Sequence, residues 1–464
     1  MRSTTARPTR NYFGEAQFRL VAAVIGTLLL SIPYVILPGA FYALLILLYF
    51  PLCWFTVGRL PAFLLMALHG YQISVCYLDG RDLWEFMDLN SQLMAQSAMA
   101  LLVLSLLVLQ RRWLLVIAAF IVWVGVGAAA LEWRGFDLIS HLPSRAAVSL
   151  TTIGGSVTYG AVDVRLRGVY AESSALGAVL GGLAFMLFAG AIAEWRRNAR
   201  VIAVVSVVSG AVGLVGLAFV LTKAGIAVVF AGFAAFLVAL PFALGRIGLI
   251  LAGAVSVSTL IVGSLVYSAL PVESKEYVLS EIESVQSLFA GGDVSAVKGK
   301  GVYGRTEGFS IAWSSLINKP LGGAPSGIMD VVQNRQIMIT EEMMFYFNNG
   351  IFGLKSALAN IAARGGAIGL LLLGLLLFYV FDLPATMRQR GVPLLQASTF
   401  ISMALAFYIV IEDRYFYFAF TFLLAGIHQH LLAETEGAGR FLPAAPRSIS
   451  GIRRRPEGAP LVRS

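Results

Sequence analysis

Charge is scarce in this chain: Asp, Glu, Lys and Arg make up 13% of its 464 residues, whereas hydrophobic residues make up 58%. Soluble domains carry about 25% charged residues. The mean hydropathy of +0.81 points in the same direction. This composition excludes a cytosolic enzyme, a disordered scaffold and a disulfide-stapled secreted domain, and it predicts a protein that lies in the bilayer.

Cysteine and histidine are also scarce, with two and four copies. Cys53 and Cys76 both lie in apolar runs, so we expect small buried thiols rather than disulfide partners or metal ligands. Only His428 and His430 stand at a ligand spacing, and we expect both, like His69, to be packing or interface residues. The sequence therefore predicts no metal site and no cofactor.

Long apolar runs, by contrast, are abundant. A helix needs about 20 mostly apolar residues to cross a bilayer, and twelve runs of the chain meet that requirement. They predict an all-α polytopic membrane domain over residues 20–433, with a count that depends on tight turns at 37–39 and 222–224. The predicted spans are residues 20–37, 40–57, 60–78, 93–110, 113–131, 175–194, 201–221, 225–243, 247–270, 364–381, 392–411 and 415–433.

Basic residues gather on alternate connecting segments. With the N-terminus placed inside, the inner segments carry a net charge of +13 and the outer segments −4, which together account for the +9 of the chain. This asymmetry follows the positive-inside rule, so it predicts cytoplasmic termini and gives no reason to expect nucleic-acid binding. Residues 1–19 are then a cytoplasmic basic arm, and residues 434–464 a disordered basic tail beside anionic lipid.

Two outer loops are long, at residues 132–174 and 271–363. Long loops without a domain of their own are usually functional. The larger loop holds several predicted elements: a helix from 271 through 288, a helix over 307–317, a glycine-rich turn over 321–327 and a helix lying on the membrane over 341–363.

The shorter loop ends in a charged cluster with Arg165, Arg167, Tyr170 and Glu172. The two arginines lie on one side of an extended segment, because strand side chains alternate with period two. Paired guanidinium groups suit a diphosphate, which favours bidentate and permanently charged donors. The alternative is that Glu172 caps a helix and both arginines are solvated.

A second cluster, in the larger loop, joins Arg305 and Glu307 to the glycine-rich sequence 320–323. These residues suit a phosphate ligand and an acid–base group. The alternative is a surface ion pair worth at most about 1 kcal/mol.

Further charges lie at the predicted outer ends of spans: Lys223, Lys355, Arg364 and Arg414. A charge near membrane depth is costly unless it faces a cavity or a partner. Lys223 interrupts two apolar runs within a minimal turn, whereas Arg414 has the alternatives of pairing with Asp413 or snorkelling to the interface.

Four stretches, taken in order, resemble the O-antigen ligase/polymerase family of bacterial envelope membrane proteins. They are residues 167–173, 221–225, 304–323 and 355–369, and the likeness extends over about 160–380. Three positions depart from the family pattern. Lys355 and Ser356 stand where ligases carry a His–Asn pair, and Ser173 replaces a proline.

The resemblance implies a C-type glycosyltransferase-like fold of about twelve transmembrane helices with one large periplasmic loop. It implies a metal-independent reaction in which an acceptor hydroxyl attacks a glycan on undecaprenyl diphosphate. Its predicted residues fall into two groups. Arg167 and Arg305 contact the diphosphate and Glu172 or Glu307 acts as the base; Arg165, Lys223, Tyr170, Lys355 and Arg414 complete the substrate-binding set.

We therefore expect a polysaccharide polymerase in a bacterial inner membrane, active at the periplasmic face, with a chain-length regulator as a candidate partner. Its product is O-antigen, capsule or exopolysaccharide. An O-antigen ligase is the first alternative, and the missing His–Asn pair weighs against it. A twelve-span transporter or flippase is the second, and the scarcity of charges in mid-span weighs against that.

Overall fold

The computed structural model describes residues 59–79, 113–136, 166, 168–170, 173–220, 222–269, 300–323, 325–334, 354, 356–388, 391–410 and 417–436. Within these ranges every regular element is an α-helix. The helices are α1 (Arg59–Leu78), α2 (Trp113–Trp133), α3 (Ser173–Arg196), α4 (Arg200–Val220), α5 (Lys223–Ala269), α6 (Lys300–Asn318), α7 (Pro325–Asn334), α8 (Ala357–Val380), α9 (Leu383–Arg388), α10 (Val392–Val410) and α11 (Tyr417–Glu436).

Six described helices are long and apolar enough to cross a membrane: α2, α3, α4, α5, α8 and α10. Two others have shorter apolar stretches, Leu60–Val75 in α1 and Phe420–Leu432 in α11. These helices confirm the predicted all-α membrane protein. The count of twelve spans stays a prediction, because the proposed spans 20–37, 40–57 and 93–110 lie outside the described residues, as do residues 1–19 and 437–464. The predicted tail begins later than residue 434, because α11 continues to Glu436.

Helix α2 shows how the sequence encodes a span. Its 21 residues rise about 30 Å, which matches the hydrocarbon thickness of a bilayer. Trp113 and Trp133 stand at its two ends, where tryptophan is enriched at membrane interfaces. The Arg134 guanidinium lies over the Trp133 ring, 5.8 Å from its centroid. A charged residue therefore follows the helix directly.

Helix α3 lies at the centre of the described bundle and contacts α4 and α5 through glycine. A methyl group added at Gly181 would clash with Val229, and one at Gly213 would press on the backbone carbonyl of Leu180. Small residues let membrane helices approach to backbone contact. The glycine content of α3 and α4 is thus explained by close helix packing.

Polar contacts fix which helix ends lie on the same side. The Gly168 amide donates to Glu132 Oε2 at 2.8 Å, so the end of α2 and the start of α3 lie together. On the other side, His430 Nε2 lies 3.0 Å from Glu194 Oε1, which joins the ends of α11 and α3. We call the first the motif side and the second the opposite side.

Hydrogen bonds also show on which side the ends of α8, α10 and α11 lie. The Ser356 hydroxyl, which precedes α8, donates to the carbonyl of Tyr408 near the end of α10 at 3.1 Å. The Thr421 hydroxyl, near the start of α11, donates to the Tyr408 hydroxyl at 2.8 Å. Because α11 ends on the opposite side, these contacts lie on the motif side. This alternation agrees with the predicted order of spans, whereas the side that faces the cytoplasm stays a prediction.

Helix α5 is divided by a sharp bend. As a straight helix its 47 residues would extend about 70 Å, more than twice the bilayer core. Gly245 interrupts it with φ 61° and ψ −134°, a conformation that only glycine adopts readily. A methyl group at Gly248 would meet the backbone of Leu240 and Pro241, so the chain folds back here. The two limbs match the ranges predicted for spans 225–243 and 247–270.

Three predictions for the larger loop need correction. The helix predicted over 307–317 begins earlier, at Lys300, despite its glycines. The glycine-rich turn ends sooner, because α7 begins at Pro325, and proline is favoured at the first helical position. The helix predicted over 341–363 is interrupted, because Ser356 is extended (φ −155°) and its hydroxyl accepts from Ala359 N to cap α8.

Candidate functional site

The structure brings the helix that follows the first of the four sequence stretches into contact with the second stretch. Stretch 167–173 leads into α3, and stretch 221–225 leads into α5. The backbones of Gly177 and Gly225 are so close that a methyl group on either would clash, at Gly177 with the Thr222 side chain. The start of α3 therefore lies directly against the start of α5.

Two helix N-termini consequently converge on the motif side. Each helix N-terminus carries unsatisfied N–H groups and about half a unit of positive charge. Thr222 Oγ1 accepts a hydrogen bond from the Gly225 amide at 3.3 Å, which satisfies one such group at the start of α5. This paired positive end is a favourable environment for an anion.

The segment before α3 is anchored on α2. Gly168 donates to Glu132, and its backbone lies close to the carbonyl of Gly125. Tyr170, which the sequence assigns to substrate binding, is 1% exposed and packs near Gly125. In this structure it is a core residue, and contact with a substrate stays a prediction.

The other predicted site residues are described only in part. Arg305 and Glu307 lie in α6 and Lys223 begins α5, and for these three the structure describes the backbone alone. The remaining predicted residues lie outside the described ranges: Arg165, Arg167, Glu172, Lys355 and Arg414. Their assigned roles stay predictions.

The third and fourth stretches also meet, at a place that we call the glycine junction: residues 320–323 and 364–367. Helix α8 bends at Gly366, with φ 56° and ψ −153°, and the following amide, Ala367 N, donates to the Pro320 carbonyl at 2.8 Å. Gly322 has φ +92°, and a methyl group there would clash with the backbone of Arg364. Both segments need glycine here, because their backbones are in direct contact.

Helix α1 also contacts the glycine junction. The Tyr71 hydroxyl donates to the Leu321 carbonyl at 2.7 Å. Lys319 Nζ contacts both carboxylate oxygens of Asp79, at 2.9 and 3.1 Å. Gln72 lies against Gly365. Three segments that are distant in sequence thus fix one backbone turn at the motif side.

Buried polar side chains surround the junction. Arg364 and Gln72 are 8% and 7% exposed, and Ser315 of α6 is fully buried. A guanidinium is costly to bury without anionic or acceptor groups around it, so the position of Arg364 marks it as a candidate site residue. The sequence indicates Arg364 only as a charge before the tenth span, and it gives no role to Gln72. The signal that could have pointed to this site was an arginine directly before the pair Gly365–Gly366.

The start of α8 is held rigidly. The Asn360 side chain donates to the Leu354 carbonyl at 2.8 Å and accepts from the Leu354 amide at 2.9 Å. Together with the Ser356 bond to Tyr408, these bonds satisfy the chain before the helix. These bonds fix the fourth stretch on α10. The bend of α8 at Gly366, which lies in the same stretch, contacts the third stretch.

A second polar group, the histidine clasp (His428, Gln429 and His430), lies on the opposite side. His428 Nε2 lies 2.9 Å from Thr386 Oγ1, and the Gln429 amide donates to the Val380 carbonyl at 2.7 Å. His430 Nε2 is 3.0 Å from Glu194 Oε1, which also accepts from Arg197 Nη1 at 3.2 Å.

The clasp refines the prediction for the histidines. His428 and His430 are fully buried, as expected of packing residues, but they also join α11 to α3 and α9 through polar contacts. His69 packs edge-on against Phe418, with centroids 5.6 Å apart. Among the described residues, no group of three or more His, Cys, Asp or Glu side chains is arranged to hold a metal ion.

No protein-family model matches the chain, and no curated protein or solved structure matches it either. The resemblance carried by the four stretches therefore remains a hypothesis about family.

The glycine junction predicts a sharp contrast between two glycines of α8. Gly366→Val combines a positive φ with a backbone clash, so we expect it to lower the free energy of unfolding by roughly 2–4 kcal/mol. Gly374→Val is the matched control, because nothing lies within 4 Å of its added carbon. Thermal unfolding in detergent measures both, and equal effects of the two substitutions would contradict the described contact.

The histidine clasp predicts that His430→Ala destabilises the protein by about 2–5 kcal/mol, because the buried Glu194 carboxylate loses one of its partners. His430→Gln retains a donor at a similar position and should recover a large part of that loss. The same thermal unfolding assay compares the two variants. If His430→Ala unfolds at the temperature of the unmodified protein, the clasp does not stabilise the bundle.

Proposed function

We propose that this protein is a polysaccharide polymerase of a bacterial inner membrane, which joins oligosaccharide repeat units carried on undecaprenyl diphosphate. The observation that carries the proposal is that the four sequence stretches meet the described bundle on the motif side. The second stretch contacts the start of α3, which follows the first stretch, through Gly225 and Gly177, and the third stretch contacts the fourth through Gly322 and Gly366. Stretches that are far apart in sequence but lie on one side of the bundle are what a single membrane-surface site requires.

The first pair supports diphosphate binding. The starts of α3 and α5 give two adjacent positive helix ends, and Arg167 precedes one of them closely in sequence. Helix dipoles and guanidinium groups both stabilise the negative charge that develops on a departing diphosphate. Because this charge is met by fixed groups, the proposed reaction needs no metal.

The proposed reaction is a glycosyl transfer. A hydroxyl of the acceptor glycan attacks the anomeric carbon, a new glycosidic C–O bond forms, and the bond from that carbon to the diphosphate oxygen breaks. The hydroxyl proton passes to a carboxylate, Glu172 or Glu307, and undecaprenyl diphosphate leaves with the bonding electrons. Energy for the step comes from the diphosphate leaving group.

Polymerisation is preferred to ligation because Lys355 and Ser356 stand where ligases of the resembled family carry a His–Asn pair. In this structure Ser356 is fully buried and its hydroxyl is used to cap α8 and to bond Tyr408. A structural role for this position fits a polymerase that does not use it as a catalytic group.

A strain that lacks the protein tests the proposal through its envelope polysaccharides, separated on a gel. We expect core bearing a single repeat unit, or loss of a secreted polymer while lipopolysaccharide stays normal. Bare core with accumulated lipid-linked polymer would instead indicate a ligase. If every glycan is unchanged, the glycosyltransferase proposal is wrong.

Arginine variants test the site itself in the complemented strain. Arg167→Ala and Arg305→Ala should each reduce polymer at least about 100-fold, the usual cost of removing a charge-stabilising group. The lysine variants should not restore it, because lysine lacks the bidentate fork. Arg388→Ala is the control, since Arg388 ends α9 on the opposite side and is exposed. Full activity of both Arg167→Ala and Arg305→Ala, with the protein inserted, would overturn the assignment.

A further inference from the structure

Helix α6 presents three different faces. Its buried stripe packs on the start of α8 and consists of small or apolar positions three or four residues apart: Gly308, Ile311, Ala312 and Ser315. Ile311 and Ala312 form a small core with Ala359 and Ala363 of α8. This stripe fixes the rotation of α6, and therefore decides which side chains point away from the protein.

The outward surface of α6 divides into two flanks. At about 100° of rotation per residue, Phe309, Trp313, Leu316 and Ile317 lie on one flank, whereas Ser314 and Asn318 lie on the other and Ser310 lies at the boundary beside Ile317. Trp313 is 65% and Ile317 59% exposed. Residues 308–318 carry no charged side chain, so contact of this surface with an apolar environment would bury no charge.

Neighbouring contacts set the depth of α6. Directly after it, Lys319 pairs with Asp79 at 2.9 Å, and Asp79 follows the last residue of α1. Helix α1 is apolar from Leu60 to Val75, so this ion pair marks the level at which an apolar helix ends. The last residue of α1, Leu78, is itself 82% exposed.

We propose that α6 lies on the bilayer surface at the motif side, with Phe309, Trp313, Leu316 and Ile317 immersed in lipid and the flank of Ser314 and Asn318 facing water. Two observations select a lipid surface over a protein partner. A tryptophan occupies the centre of the apolar flank, as in interfacial helices, and Lys319 directly after α6 lies at the level where the apolar helix α1 ends.

This placement has a consequence for chemistry, which rests on the proposed function. Arg305 and Glu307 belong to the same helix, so they lie at the depth of lipid head groups. A diphosphate on an undecaprenyl chain occupies that depth as well. The membrane contact of α6 would then bring a lipid-linked donor to these residues without a deep cavity.

The test uses the full-length chain with Cys53 and Cys76 replaced by serine and one spin label added at a time. Labels at 313 and 317 probe the apolar flank, and labels at 314 and 318 are matched controls on the polar flank of the same helix. The protein is reconstituted into vesicles of phosphatidylethanolamine and phosphatidylglycerol. Collision rates with oxygen and with a water-soluble nickel chelate are then measured.

We expect the ratio of oxygen to nickel collisions to reverse between the two flanks: high at 313 and 317, low at 314 and 318. A high nickel rate at all four positions would overturn the proposal, because the apolar flank would then face water. Low rates of both reagents at 313 and 317 would also overturn it, because a protein surface would cover them. The readout does not depend on catalysis, so it stands or fails separately from the polymerase proposal.

Discussion

Direct contact between backbones, made possible by glycine, is the constraint on which the motif side depends. At one place Gly177 meets Gly225, and at the other Gly322 meets the bend at Gly366. A side chain at any of these positions would separate the segments by ångströms. Small residues are the main means by which membrane helices approach closely. These contacts join the second stretch to the start of α3, and the third stretch to the fourth.

The two sides of the bundle are held mainly by different contacts. The motif side depends on backbone contacts at glycine and on two adjacent helix N-termini, together with side-chain bonds such as that of Thr421 to Tyr408. The opposite side is held by buried polar side chains, above all His430 with Glu194 at 3.0 Å. Such pairs are costly to break inside a membrane protein.

The sequence predicts the described spans well and their junctions poorly. Runs 113–131, 175–194 and 201–221 match helices within a few residues, because apolar length is a local property. The bend at Gly366 was not predicted, since a glycine within an apolar run reads as ordinary helix packing, whereas the break at Gly245 falls between the predicted spans 225–243 and 247–270. The buried position of Arg364 depends on α1, some 290 residues earlier by sequence numbering, and no local pattern encodes that proximity.

Reconstitution tests directly whether this protein polymerises lipid-linked repeat units, as we propose. The purified full-length protein in vesicles would receive lipid-linked repeat units extracted from a strain that lacks it. We expect a ladder of longer glycans with one undecaprenyl diphosphate released per bond formed, and no ladder with the Arg305→Ala variant. If the repeat units stay at unit length although the protein is folded and inserted, the protein is not a polymerase.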